Sequence, residues 1–303
     1  MNTPPTRAER LKSTLLSLLL LALLLAIWHL ATLKPAALPA PAAATLTPEQ
    51  IEYARLMGKD PATLAAASSG SGAVSGKSGF PTLGQMAGAL RENLSRPFYD
   101  NGPNDKGLGL QLAHSLGRVA LGYGIAALVA IPLGFVIGMS PLLWRALDPF
   151  IQVLKPISPL AWMPLALYTI KDSDVSGIFV IFICSIWPML INTAFGVAGV
   201  RRDWLNVART LEVPPLRRAF EVILPAAAPT ILTGMRISMG IAWLVIVAAE
   251  MLVGGTGIGY FVWNEWNNLS LPNMIVAIGV IGVVGMGLDA LFGRLQRAVT
   301  YVD

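Results

Sequence analysis

The chain lacks most of what soluble enzymes use for chemistry. Its 303 residues include one cysteine, Cys184, and two histidines, His29 and His114. One cysteine excludes a disulfide scaffold and any multi-cysteine metal site. Two histidines argue against a histidine-built zinc site. Charge is also scarce, at 13% of residues against about 25% in an average soluble domain. Hydrophobic residues make up 54%, and the mean hydropathy is +0.63. A soluble domain of this size could not hide that much apolar surface, and so apolar a chain is not disordered. What remains is an all-α polytopic membrane protein. With 22 Lys+Arg against 17 Asp+Glu its formal charge is +5, which is compatible with anion traffic. No nucleic-acid partner and no metal are expected.

Uncharged runs locate the membrane spans, since a crossing needs about 20 apolar residues. Such runs occupy 14–33, 119–144, 175–200 and 266–288. Two further expected spans carry charge: the proline-rich 155–170, with Lys155, and 229–252, with Arg236 and Glu250. The total is about six helices. Lys and Arg gather on one side, in the N-terminal tail and around 145, 201–218 and 294–297. The positive-inside rule then puts both termini in the cytoplasm of a cell whose inner (plasma) membrane holds the protein. The first run could be a secretory signal, but its 20 residues exceed the usual apolar region of about 7–15. It therefore reads as a retained helix.

Three regions follow: 1–33, tail and first helix; 34–109, an outer Ala/Pro/Ser/Gly-rich segment; and 110–298, the transmembrane core. Within the outer segment, 34–44 reads as linker. A capping box of Thr47 and Gln50 predicts a short helix over 47–58, 62–79 as a flexible stretch, and 80–93 as another short helix. The segment is either an ordinary insertion or a docking surface. Residues 71–78, S-G-A-V-S-G-K-S, mimic a phosphate-binding loop, but Ser71 replaces the first glycine and the strand-and-helix context is missing. Residues 254–259, G-G-T-G-I-G, have no lysine and read as a backbone turn at the outer surface.

Residues 201–225, R-R-D-W-L-N-V-A-R-T-L-E-V-P-P-L-R-R-A-F-E-V-I-L-P, are too polar to span. Asp203 is expected to cap a short helix running to Glu212. Pro214 and Pro215 break it, and 216–224 adds a second turn or two. The result is a helix–turn–helix elbow, which could simply rest on lipid headgroups through its arginines.

This elbow resembles the signature loop of the transmembrane subunits of bacterial ABC importers: E-A-A, three residues, Gly, nine residues, I-x-L-P. Anchored on Pro225, the E-A-A positions are Asn206, Val207 and Ala208, the glycine position is Glu212, and L-P is Leu224 and Pro225. The spacing, Ala208, Leu224 and Pro225 match; the Glu and Gly do not. The stretches N-V-A-R-T-L-E-V (206–213), W-L-V-I-V-A-A-E-M-L (243–252), G-G-T-G-I-G-Y-F-V-W-N-E-W-N-N-L (254–269) and L-P-N (271–273) are similar to permeases of the nitrate/nitrite type. Relatives in that group carry bicarbonate, cyanate and sulfonates. The resemblance covers roughly 114–296.

The resemblance implies a type I importer permease fold and alternating access driven by separate cytoplasmic ATPase subunits. ATP and Mg would bind there, with no cofactor and no hydrolase activity in this chain. It also implies a periplasmic solute-binding protein and a second permease copy, giving a homodimer where one permease gene exists. The elbow would seat in the ATPase, with Trp204 and Leu205 as apolar anchors and Arg209 as a polar contact. Glu212 at the glycine position suggests a turn without left-handed backbone. A secondary transporter or channel, the more remote alternative, would need inverted repeats or a ladder of pore charges. A membrane enzyme would need clustered catalytic groups.

Arg236 and Glu250 are the charges inside a span, where an ionisable group is costly. They lie 14 residues apart, about 40° short of four turns and about 21 Å along the axis, so they share a face but cannot pair. That face either lines the substrate pathway, with Arg236 offering a planar donor set to an oxyanion, or it is structural. In the structural alternative Arg236 fixes packing and Glu250 organises the glycine-rich loop. Lys155 is expected to snorkel from a kinked span, Asp289 to meet an arginine or the interface, Trp263 and Trp266 to join an aromatic belt, and Cys184 to pack as a small hydrophobe.

Overall fold

The computed structural model describes residues 7–32, 80–102 and 105–299. The expected linker at 34–44, helix at 47–58 and flexible stretch at 62–79 lie outside the described residues, as does the 71–78 loop mimic. The chain divides into two units, Met1–Gly88 and Ala89–Asp303.

In the first unit, α1 (Arg7–Thr32) is one uninterrupted leucine-rich helix, and its leucines from Leu15 to Leu25 are exposed. At its end the Trp28 indole N–H donates to the Pro81 carbonyl at 3.0 Å, and its ring meets Phe80 edge-on at 5.2 Å. The next helix, α2 (Leu83–Ser95), continues across the boundary between the units. Thr82 starts it: the Thr82 amide donates to the Gln85 side chain at 2.9 Å, and the Gln85 amide donates back to the Thr82 hydroxyl at 3.4 Å. This reciprocal pair satisfies two amides that have no intrahelical acceptor.

The second unit opens on a small antiparallel pair, β1 (Asp100–Gly102) and β2 (Asp105–Lys106), with Asp100 opposite Lys106. The core helices follow: α3 (Leu108–Met139), α4 (Pro141–Leu154), α5 (Pro159–Ile170) and α6 (Ser173–Ala198). The elbow contains α7 (Arg202–Thr210) and α8 (Pro215–Arg218), then a π-turn over Ala219–Ile223. Last come α9 (Leu224–Val253), α10 (Ile258–Asn267) and α11 (Leu271–Val299).

The main core lies where α3, α6 and α9 pack together, around Val119, Ala126, Ala130, Ile181, Met189, Val245 and Ile246. Small residues bring the helices close. A Cβ on Gly138 would run into the Ala194 carbonyl, so the ends of α3 and α6 touch nearly backbone to backbone, as apolar surroundings favour. Polar pins fix the helices. The Ser238 hydroxyl donates to the Ser185 carbonyl at 2.7 Å, the Tyr123 hydroxyl to the Met235 carbonyl at 3.0 Å, and the Trp243 indole to the Ile281 carbonyl at 3.0 Å. Cys184 packs against this core as a small apolar residue.

Five of the described helices are long and apolar enough to cross a membrane, and six crossings result if α4 and α5 together count as one. The boundaries correct the sequence reading in four places. The run 119–144 is not one helix, because Ser140 and Pro141 end α3 and start α4, with the Ser140 hydroxyl accepting from the Leu143 amide at 3.4 Å. The expected third span, 155–170, is the second limb of a pair bent by 90°. Lys155 sits at its break, and the prolines 156 and 159 forbid a straight helix there. The last span begins at Leu271, not 266, because Leu269 takes a φ of 55° and separates α10 from α11. Finally, 216–224 is not a separate turn: residues Pro215–Val253 form one helical rod of 39 residues.

Candidate functional site

Three features of the second unit carry chemistry: the elbow, a buried clasp at the far end of α9, and an arginine–aspartate pair between them.

In the elbow, α7 starts without a side-chain cap, and Asp203 sits in the first turn, where its charge meets the positive helix end. Asp203 also pairs with Arg201 at 3.7 Å, and the Arg201 guanidinium lies 5.8 Å from the centre of the Trp204 ring. Glu212 corrects the sequence reading. It takes a φ of 51°, the left-handed backbone that its non-glycine identity argued against. The reason is the helix end itself. The Glu212 amide donates to the Arg209 carbonyl and the Val213 amide to the Ala208 carbonyl, both at 3.0 Å. This pair of bonds closes a Schellman cap, which requires left-handed backbone at the residue after the cap. The backbone geometry asked of the signature glycine is therefore kept by a glutamate, at a cost of roughly 1–2 kcal/mol.

Beyond Pro214 the chain re-enters the helix. Pro225 has no N–H to give, and the π-turn just before it widens the helix. The Leu224 amide instead reaches five residues back to Ala219. Arg217 and Glu221 pair at 2.8 Å on this turn. Of the expected anchors, Trp204 is exposed, as are Asn206, Val207 and Arg209. Leu205 turns inward with Ala208, which is buried. Leu205 packs with Leu224 against a small core of Val197, Val200, Ile223, Ala227 and Ile231. The outward apolar surface is therefore Trp204, Val207, Leu211, Leu216 and Phe220.

The clasp surrounds Glu250, whose carboxylate is buried (4% exposed). It accepts from the Ser115 hydroxyl at 2.8 Å, from Arg118 at 2.7 Å and from the Gly259 amide at 3.0 Å. The neighbouring amides of α10 are held from α3: Gly257 donates to the Gln111 side chain at 2.7 Å and Ile258 to the Ser115 oxygen at 2.8 Å. The first amides of α10 are thus met by side chains of other helices, and a carboxylate sits where the helix dipole favours one. Arg118 also donates to the Thr256 carbonyl at 2.7 Å and to Asp174, at the start of α6, at 2.5 Å. Gly257 has no room for a side chain, because a Cβ there would overlap the Glu250 carboxylate. Gly254 and Gly255, at φ 81° and 93°, make the expected turn. Glu250 therefore organises the glycine-rich loop. The sequence reading missed Arg118, Ser115 and Gln111. The signal for Arg118 was its position one residue before an uncharged run.

Arg236 and Asp289 form a two-pronged pair between α9 and α11, Nε to Oδ1 and Nη2 to Oδ2, each at 2.6 Å. Asp289 thus meets an arginine, as expected. Their side chains are 40% and 57% exposed. Asp289 lies about 27 Å from the Leu271 end of α11 and about 15 Å from the Val299 end, so a hydrocarbon layer of about 30 Å laid from Leu271 just encloses it. Beyond the clasp, Glu92, Arg96, Asp105, Glu265 and Asn273 border an open polar cavity of about 550 Å³. Burial, then the hydrogen bond to Asp105, pushes the Tyr99 phenol there above its ordinary pKa. Trp263 and Trp266 are exposed on α10.

Comparisons with known proteins identify the family and the fold. A profile of the family described as binding-protein-dependent transport system inner membrane component matches residues 130–301. The nitrate import permease protein NrtB of Synechocystis sp. is 46% identical over 222 residues, 73% of this chain and 81% of that protein. NrtB of Leptolyngbya laminosa is 50% identical over 203 residues, 67% of this chain and 73% of that one. The bicarbonate transport system permease protein CmpB of Synechocystis sp. is 45% identical over 69% of this chain and 75% of its own length. Among solved structures, an inward-facing MetNI methionine ABC transporter gives a TM-score of 0.57 at 14% identity, over 64% of this chain and 96% of that chain. An amino acid ABC transporter with histidines gives 0.53 at 16%, over 62% and 92%. The chain belongs to the binding-protein-dependent transport system inner membrane component family. It is a multi-pass inner-membrane permease subunit of an ABC importer.

Proposed function

We propose that this permease carries nitrate and nitrite inward by ATP-driven alternating access. The observation that supports this cargo most is the 46% and 50% identity to two nitrate import permeases. A second reading, bicarbonate, is favoured by a relative at 45% identity, and both anions are small, planar and bear three oxygens. In this reading separate cytoplasmic ATPase subunits bind ATP and Mg and receive the elbow through Trp204, Val207 and Arg209, with Asn206 beside them. Glu212 and the Leu224–Pro225 turn fix the elbow's angle. A periplasmic binding protein delivers substrate at the clasp end, both chain termini lie in the cytoplasm, and a second copy of the chain supplies the second elbow.

Arg236 is the proposed stopping point for the anion. An exposed charged pair at that depth is disfavoured against lipid tails, so its face belongs on a water-filled route between helices. An entering oxyanion can exchange with the Asp289 carboxylate on the planar guanidinium, which holds either in the same two-pronged way. Glu250 serves the route from its far end by fixing the glycine-rich loop.

The test is uptake into proteoliposomes holding the chain with its ATPase and binding protein, comparing labelled nitrate and bicarbonate with and without ATP. ATP-dependent nitrate uptake supports the reading. ATP-dependent uptake of bicarbonate alone overturns the cargo, and uptake indifferent to ATP overturns the coupling role of the elbow.

A further inference from the structure

A cavity of about 450 Å³ opens where α3 ends, α4 begins and α6 finishes. Its origin is local. Ser140 and Pro141 turn the chain away from α6, while Gly138, Ala194 and Ala198 supply almost no side chain to fill the gap. Ile137, Trp144 and Phe195 wall it with apolar surface. One charged group, Arg145, lines it. Among the described residues Arg145 has no carboxylate partner. The nearest acid along α4, Asp148, is engaged by Gln152 at 3.4 Å. The cavity sits at the elbow end of the spans, because α6 stops at Ala198 and α7 starts at Arg202. The same helix α4 exposes Leu142, Phe150 and Val153 at 77%, 65% and 68%.

An apolar cleft with a single cation, at the level where spans meet the headgroups, matches an amphiphile with an anionic head. We propose that this cavity binds an anionic phospholipid, its acyl chain against Ala194, Ala198 and Phe195 and its phosphate on Arg145. A basic residue between spans at the elbow side adds headgroup attraction to tail burial. Trp144 suits the boundary between the two.

Native mass spectrometry of the assembled transporter, released from nanodiscs of equal phosphatidylglycerol and phosphatidylcholine, tests this. Phosphatidylglycerol should remain bound to the unaltered protein, and millimolar inorganic phosphate should not displace it. Arg145→Gln should lower its retention about fivefold, from roughly 1 kcal/mol per basic residue, and leave phosphatidylcholine unchanged. Ala198→Trp, at an exposed position, should fill the cleft and remove both lipids, while Arg202→Gln on the elbow should change neither. Equal retention in all variants overturns the proposal, as does displacement by free phosphate. Loss of the pairing of two chains in Ala198→Trp, with lipid still bound, also overturns it and makes the cleft a contact between copies.

Discussion

Two arginine–carboxylate arrangements hang on the same helix, α9, and they differ in almost everything but chemistry. At one end Arg118 and Glu250 are 13% and 4% exposed and share their remaining bonds with a hydroxyl, two backbone groups and a second acid. Near the middle Arg236 and Asp289 are 40% and 57% exposed and are bound by a single fork. A buried carboxylate is tolerated only when each of its oxygens is occupied, and removing one partner strands the rest. An open fork leaves both groups able to take another partner. The first arrangement therefore suits holding a loop, and the second suits exchange with a passing anion.

The largest expected effect breaks the first arrangement. Glu250→Ala strands Arg118 and the Gly259 amide and should cost about 3–5 kcal/mol. Thermal unfolding of the solubilised protein would show it, and an unchanged transition would remove the clasp from the account. Gly257→Ala should cost about 1–3 kcal/mol by overpacking against the same carboxylate. In Gly257→Ala with Glu250→Asp the two losses should fall short of their sum, because the shorter acid makes room; strict additivity would mean that the two sites do not touch.

The second arrangement should respond in the opposite sense. Arg236→Lys removes the planar fork, and nitrate uptake at limiting substrate should fall about tenfold, the scale of a charged hydrogen bond. Its melting transition should barely move. Normal uptake in this variant would exclude two-pronged recognition. The smallest effect is outside both pairs. Glu212→Gly should relieve left-handed strain and stabilise the elbow by about 1 kcal/mol. Hydrogen exchange of the Val213 amide should slow, and faster exchange would contradict the strained backbone.

The long spans were legible because uncharged runs report them directly, and the elbow because its spacing around Ala208, Leu224 and Pro225 survives the loss of the signature Glu and Gly. What was not legible depended on contacts across sequence. Arg118 sits 132 positions from Glu250, and no periodicity links them. The starts of α4 and α5 left signals, Ser140–Pro141 and Ser158–Pro159, each a serine before a proline. Those signals locate an end but not a 90° bend. Glu212 was misread because residue identity states a preference, whereas the two hydrogen bonds that close α7 dictate the backbone. Leu205 was assigned outward, yet facing Leu224 is decided only when the elbow folds back on its own rod.

That rod, Pro215–Val253, ties the elbow to the clasp in one continuous helical run of 39 residues, with the π-turn at its elbow end. It is about 58 Å long at 1.5 Å per residue. A rod of that length works as a lever: a tilt of about 10° at one end sweeps the other through about 10 Å. Mechanical work done on the short polar elbow would thus arrive at the Gly-rich loop as displacement larger than the width of the anion, with no relay of intermediate contacts.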